Sequence, residues 1–392
     1  MKAPCKQPRA PSQSDFPLSS EIDRAFKTAL DRRIFSGASL LLGTSEKILH
    51  QECWGLTKSD GIPIDTGTRF DLASLTKPLV TTILCMQAIN AGQLRLDDCL
   101  ASFFPAGFTP PDKRSITVRQ LLNHCSGLPA YLPFYRKLIE VPDSERRAQV
   151  LQWILQTELH SPPGERSIYS DLGFLALGMI LEAVLDGRLD RLSHRLIFAP
   201  LAIDELEFIC LNPSSDPTVA PNILHKLESS IAATEWCRWR QRLLQGEVHD
   251  ENAYCLDGVA PHAGLFGTAR GVYSLLSCLW RAYLRKSREV LLPSDLLETF
   301  WARQNLAEGS SWALGFDTPN KEGSSAGRYF SCNTVGHLGF TGTSFWMDLE
   351  QEIVIVLLTN RVYPTRDNDK IKGFRPLIHD LAMKAFYEFS KE

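Results

Sequence analysis

"EIVIVLLTN", residues 352–360, decides how the rest of the chain is read. It is apolar enough to form a strand buried on both faces. Just upstream, "TSFWMDL" at 343–349 is strand-like as well, and a glycine-rich stretch, "TVGHLGF" at 334–340, leads into it. Near the other end of the chain, "GASLLLG" (37–43) and "ILHQECWGL" (48–56) read as two more strands around a polar turn at Thr44–Lys47. Ahead of them Ile22, Phe26, Ala29 and Leu30 recur at helical spacing behind Ser19 and Ser20, either of which could cap a helix. A last helix is expected to start near Pro376 and to set Ile378, Leu381, Ala385 and Phe386 on one side.

Between these ends, from about residue 74 to 300, the text is helical. Examples are "TTILCMQAINAGQL" (81–94), "LGFLALGMILEAVL" (172–185) and "RGVYSLLSCLWRAYL" (270–284). The pattern predicts an α+β protein: a central antiparallel sheet built from strands of both chain ends, flanked by the terminal helices, with a mostly helical lobe inserted between them. The expected division is a polar arm at 1–19, a discontinuous sheet domain at 20–73 and 305–392, and a helical domain at 74–304. A ligand site belongs in the cleft between sheet and insert.

Composition excludes several classes. The 392 residues suffice for a sizeable core and about two domains. With 44% hydrophobic and 22% charged residues and a net charge of −3, the chain has no basic footprint for nucleic acid. No stretch is long and continuous enough for a membrane span. The polar, proline-rich start lacks the apolar core of a secretory signal, so the expected compartment is the cytoplasm, or the periplasm if a leader precedes this sequence. Ten cysteines lie at irregular spacings without a C-x-x-C pair, which suggests free thiols rather than disulfides or a thiolate metal site.

The chemistry is read from "FDLASLTKPLVTT", residues 70–82, where Ser74 stands three positions ahead of Lys77. Residues three apart on a helix share a face. A serine hydroxyl needs an adjacent base, and lysine serves only when its amine is neutral, so its pKa must fall from about 10.4. Burial and the positive end of a helix favour that fall, and the same helix end aims the Ser74 N–H at a developing oxyanion. The bland reading is a helix cap beside a solvated lysine. Two further stretches supply partners. In "PPGERSIYSDLGFLALG" (162–178), Tyr169 and Asp171 precede an apolar helix, and a phenol near Lys77 could relay a proton. In the glycine-rich stretch, Gly336, Gly339 and Gly342 let a substrate lie along the strand.

The order S-x-x-K, Y-S-D and H-L-G resembles the serine beta-lactamase and penicillin-binding-protein superfamily, and most of all its class C-related hydrolases: beta-lactamases, D-Ala-D-Ala carboxypeptidases and esterases. "GQLRLDDCLASFFP", "ITVRQLLNHCSGLP", "GVAPHAGLFGTA" and "VLLTNRVYPTRDN" look like this family too, and the likeness runs from about residue 20 to 385. The resemblance implies Ser74 as acylated nucleophile, Lys77 as general base and Tyr169 as proton relay. It implies an oxyanion hole from the Ser74 and Phe340 N–H groups, and a substrate channel lined by Asp171, His337 and Gly339. No metal or organic cofactor is implied, and the partner is a small ester, amide or beta-lactam-like molecule.

Two departures shape the expected activity. The tyrosine motif ends in Asp171 where the family often has asparagine, and a carboxylate there stabilises the charged lysine. His337 and Leu338 stand where the family's third motif has lysine and a hydroxyl residue, which weakens a substrate-carboxylate anchor. Esterase-like hydrolysis is therefore favoured over beta-lactamase or carboxypeptidase activity, with a non-catalytic binding module as the alternative from another class. "GSSAG" at 323–327 imitates a nucleophile elbow around Ser325 but lies in a polar loop. His124, Asp97 and Asp98 are read as structural, as are the "VHD" segment at 248–250 and His262, which lie in family-like stretches that could border the cleft, and Asn360 and Arg361 as positioning the sheet edge.

Overall fold

The computed structural model describes residues 20–211, 230–286, 291–320 and 322–390. The expected polar arm at 1–19, and with it the capping role offered to Ser19, lies outside the described residues.

Strand β1 (Gly37–Gly43) and β2 (Ile48–Gly55) form a hairpin, closed by a Thr44 N–H bond to the Lys47 carbonyl. From the far end of the chain come β6 (Thr334–Leu338), β7 (Ser344–Asp348) and β8 (Ile353–Thr359). Together they make one antiparallel sheet in the order β2-β1-β8-β7-β6, with Ala38 opposite Thr359 and Leu338 opposite Ser344. Every residue of β8 is buried, as its apolar run requires of a strand covered on both faces. Ile353, Ile355 and Leu357 join one core with Ile22 and Phe26 of α1 (Ser20–Asp31) and with Phe374 and Ile378 of the C-terminal helix α5 (Ile371–Phe389). Val354, Val356 and Leu358 point the other way, into a larger core shared with the inserted helices. Alternation of side chains along the strand sends neighbours to opposite faces. Phe26 stacks on Trp54 with centroids 3.7 Å apart and meets Phe374 edge-on, so both terminal helices are bolted to the same sheet face.

The C-terminal helix departs from expectation. It begins at Ile371, and Pro376 lies inside it. A proline there forfeits one helical hydrogen bond, but Ile371 and Phe374 are buried by starting earlier, and that burial sets the boundary. The insert and the segment leading into it also contain strands too short for an alternating pattern to show. β3 (Phe70–Asp71), β4 (Leu206–Phe208) and β5 (Leu265–Gly267) form a small sheet in the order β3-β5-β4. Around it pack α2 (Thr82–Asn90), α3 (Asp171–Val184) and α4 (Ala269–Tyr283), whose buried faces fill the larger core. The cysteines among the described residues are free thiols. No described helix is long and apolar enough to cross a membrane.

Candidate active site

Ser74 stands where β3 turns into helix. The Asp71 carboxylate accepts the Ala73 N–H at 2.8 Å and the His249 N–H at 2.7 Å, holding the corner from two sides. Ala73 is left-handed, with φ +48°, an uncommon conformation for a residue with a Cβ. The reversal lifts a 3-10 turn, Ala73–Leu75, out of the strand. Thr76 secures it by donating to the Ala73 carbonyl at 2.7 Å and accepting the Leu265 N–H at 3.1 Å. Lys77 opens a π turn, Lys77–Thr81, that runs into α2, and such turns often mark functional positions. Its Nζ lies 3.1 Å from Ser74 Oγ. The capping alternative for Ser74 does not hold, because no side chain caps either turn.

Lys77 has no exposed surface, yet its amine meets three acceptors: Ser74 Oγ, Asp171 Oδ1 at 2.6 Å and the His262 carbonyl at 3.2 Å. Burial pushes the amine pKa down, but the Asp171 charge, with Tyr169 adding to it, outweighs burial and holds it above the ordinary lysine value. The Ser170 hydroxyl, accepting the Gly173 N–H at 3.1 Å, caps α3 and so delivers Asp171 and Tyr169 to this place. Lys77 Nζ is 4.8 Å from the Tyr169 ring centroid. Burial raises the phenol pKa, while Lys77 and hydrogen bonding to Lys77 and Ser74 act against it. The Tyr169 ring is fixed between His124, at 4.6 Å, and Trp312, at 5.4 Å between centroids.

The opposite wall is the end of β6 and the turn after it. Thr341 Oγ1 donates to the Asp71 carbonyl at 2.7 Å, and Thr343 Oγ1 to the Leu72 carbonyl at 3.1 Å, so the turn is tied to the corner carrying Ser74. A Cβ on Gly339 would lie 2.7 Å from the Leu72 carbonyl oxygen, which explains the glycine. Among the described residues no acceptor takes the N–H of Ser74 or of Phe340. His337 is buried, and its Nδ1–H donates to the Leu338 carbonyl at 2.8 Å, leaving Nε2 as an acceptor without a partner among the described residues. Burial, with the Lys77 charge adding to it, pulls its pKa down to about 3, so the ring is neutral at neutral pH.

Comparison with known proteins gives the family. A family model described as Beta-lactamase matches residues 22–378. The chain belongs to the beta-lactamase family. A relative from Escherichia coli K12 bearing the provisional name D-alanyl-D-alanine carboxypeptidase is 28% identical, over 94% of this chain and 89% of its own length. Among solved structures, EstCE1, a hydrolase with promiscuous acyltransferase activity, superposes with a TM-score of 0.70 at 20% identity, covering 93% of this chain and 98% of that one. The octameric penicillin-binding protein homologue from Pyrococcus abyssi gives 0.68 at 18% identity, covering 93% and 76%. These likenesses show the fold of the beta-lactamase and penicillin-binding-protein group.

In this family member Ser74, Tyr169, Asp171, His337, Gly339 and Phe340 line one cleft of about 650 Å³, with Lys77 buried beneath. The cleft also takes in Tyr131, Trp312, Asp317 and Arg375, which lie in none of the quoted stretches, and Arg361 and Arg366 from "VLLTNRVYPTRDN". They come from loops far apart in the chain and from one helix, and only folding collects them. Arg361 lines the cleft, so its sheet-edge position does not remove it from the site. Arg366 is neutralised by Glu235 and Glu251, and burial of Glu235 is overridden by its bonds to His249 and Arg366, leaving its pKa at about 2. Glu235, Cys237 and Glu251 bring ligand-type atoms within 4.8 Å of one another, but Arg366 already donates to both carboxylates. His262 pairs its ring with Asp250 at 3.0 Å and lends Lys77 its carbonyl. His124 accepts the Ser170 N–H at 3.1 Å. Asp98 accepts the Arg95 N–H, and Asp97 pairs with Arg119. Ser325 keeps its loop, its carbonyl held by His379 Nδ1 at 2.9 Å.

Proposed function

We propose that this chain is a serine hydrolase that works through an acyl-serine intermediate, with ester or amide substrates and an esterase-like preference. The observation that carries the reading is the 3.1 Å contact between Ser74 Oγ and the fully buried Lys77 amine. Ser74 Oγ attacks the substrate carbonyl carbon while its proton passes to the neutral Lys77 amine. The Asp171 charge opposes the neutral form of that amine, so only the deprotonated fraction of Lys77 is competent as base. The carbonyl electron pair moves to oxygen, facing the free N–H groups of Ser74 and Phe340. Collapse expels the leaving group, which takes its proton through Tyr169. Water then repeats the sequence on the acyl-enzyme.

Neutral His337 supports substrates without a carboxylate at that position, where a lysine would have offered a fixed charge. The name of the Escherichia coli relative favours a second reading, D-Ala-D-Ala carboxypeptidase activity. Both readings require acylation of Ser74. Treatment with a fluorophosphonate followed by mass spectrometry should give one adduct on Ser74, lost in Ser74→Ala and in Lys77→Ala. Turnover of p-nitrophenyl esters should fall by roughly 10³-fold or more in either variant. A wild-type protein that takes no label favours the binding module over the acyl-serine enzyme. Short esters, nitrocefin and a D-Ala-D-Ala peptide, run side by side, separate the two readings.

A further inference from the structure

Arg375, on the second turn of α5, is buried with no carboxylate beside it among the described residues. Its Nη2 donates to two carbonyl oxygens, Gly339 at 2.6 Å and Thr343 at 2.8 Å, while Nε has no partner among the described residues. Burying a guanidinium against carbonyls alone is costly, and removing its cost would be easy with an apolar side chain. Burial, and the neighbouring Arg361 charge after it, pull its pKa down to about 9, so it stays a cation at neutral pH. The carbonyl it holds most closely is half of a particular peptide group. Gly339 C=O and Phe340 N–H belong to one trans peptide unit and point in opposite directions. The next carbonyl, Phe340 C=O, accepts Arg361 Nε at 2.7 Å, and the Arg361 guanidinium lies 4.4 Å from the centre of the Phe340 ring. Cations therefore grip the backbone on both sides of the Phe340 N–H, which itself meets no acceptor among the described residues.

We propose that Arg375 is a positioning residue of the oxyanion hole, which orients and polarises the Phe340 N–H through the Gly339–Phe340 peptide. A charged donor on the carbonyl draws electron density to oxygen and leaves the N–H at the other end a stronger donor. This rests on the acyl-serine reading, since only a tetrahedral intermediate presents an oxyanion to that N–H. The cation needs no contact with substrate; its effect travels through one amide plane.

The test compares a p-nitrophenyl ester with its thionoester, in which sulfur, a weak acceptor, replaces the carbonyl oxygen. In Arg375→Met, kcat/KM for the ester should fall by about 10- to 100-fold, mostly in kcat, and for the thionoester by less than about threefold. Equal losses on both substrates mean that Arg375 only braces the turn and overturn the inference, as does an ester rate left unchanged. Fluorophosphonate labelling of the wild type separates this from the parent reading. Without an adduct on Ser74 the parent reading fails and takes the inference with it, whereas an adduct with equal losses sinks the inference alone. If Arg375→Met does not fold by circular dichroism, Arg375→Lys decides by the same ratio, with a smaller ester-selective loss expected because an amine keeps the charge.

Discussion

At the scale of single residues, the balance of Lys77 governs the chemistry. An amine that donates to three acceptors at once is arranged as an ammonium ion, and the Asp171 contact is what tips it that way. Replacing Asp171 by asparagine keeps the shape and removes the charge. The Lys77 pKa then falls, and each unit of fall multiplies the neutral fraction by about ten at pH values below the pKa. Asp171→Asn is therefore expected to keep or raise kcat/KM at pH 7 and to shift the rising limb of the pH–rate profile to lower pH, measured with a p-nitrophenyl ester. A large loss at every pH would instead make the carboxylate a required participant. Ser74 and Lys77 were legible because both lie within one turn of chain. The Asp171 contact spans 94 positions and was visible only as a departure from a motif.

At the scale of elements, the turn after β6 is the exacting one. A Cβ on Gly339 would meet Thr343 Oγ1 at 1.9 Å as well as the Leu72 carbonyl, so an added methyl pushes the turn away from the Ser74 corner. Gly339→Ala should lower kcat by about 10²-fold or more, because about an ångström of misplacement suffices for that. It should also cost about 1–3 kcal/mol in urea unfolding. Gly373, on the exposed side of α5, is the control: nothing lies within 4 Å of an added Cβ. Gly373→Ala should gain up to about 1 kcal/mol with activity intact. Equal behaviour of the two variants would show that contact at Gly339 is not what matters. The strands β1, β2 and β8 were readable because each runs for seven or more residues. β3, β4 and β5 were not, since two or three residues carry no period, and pairing alone defines them.

At the scale of the whole molecule, several buried histidines tie stability to pH. His379 sits with no exposed surface between the Ser325 carbonyl and Ser344, where burial, its largest influence, lowers its pKa to about 4. His337 is shifted in the same direction. Between pH 4 and 6.5 the unfolded chain binds a proton at His379 that the folded one refuses. The stability this group allows is thus fully present above about pH 6.5 and is lost as pH falls towards 4. At about 1.4 kcal/mol per unit, the loss is roughly 3 kcal/mol. His379→Asn retains a donor for Ser325 and does not titrate, so urea unfolding of the variant should lose roughly that much less than wild type between pH 7 and 4. Parallel losses in the two proteins would rule out His379 as the source.

Sequence by itself determined the parts whose information is local: the apolar period of the long strands and helices, and the serine and lysine one turn apart. Those patterns record what each short segment must bury or present, whatever it later touches. Tertiary structure alone decided which charges meet. It set Asp171 on Lys77, left His337 neutral by enclosing it, and drove Arg375 from the last helix into the backbone behind Phe340. The physical reason is that electrostatic effects depend on distance and burial in space, and a one-dimensional pattern fixes neither.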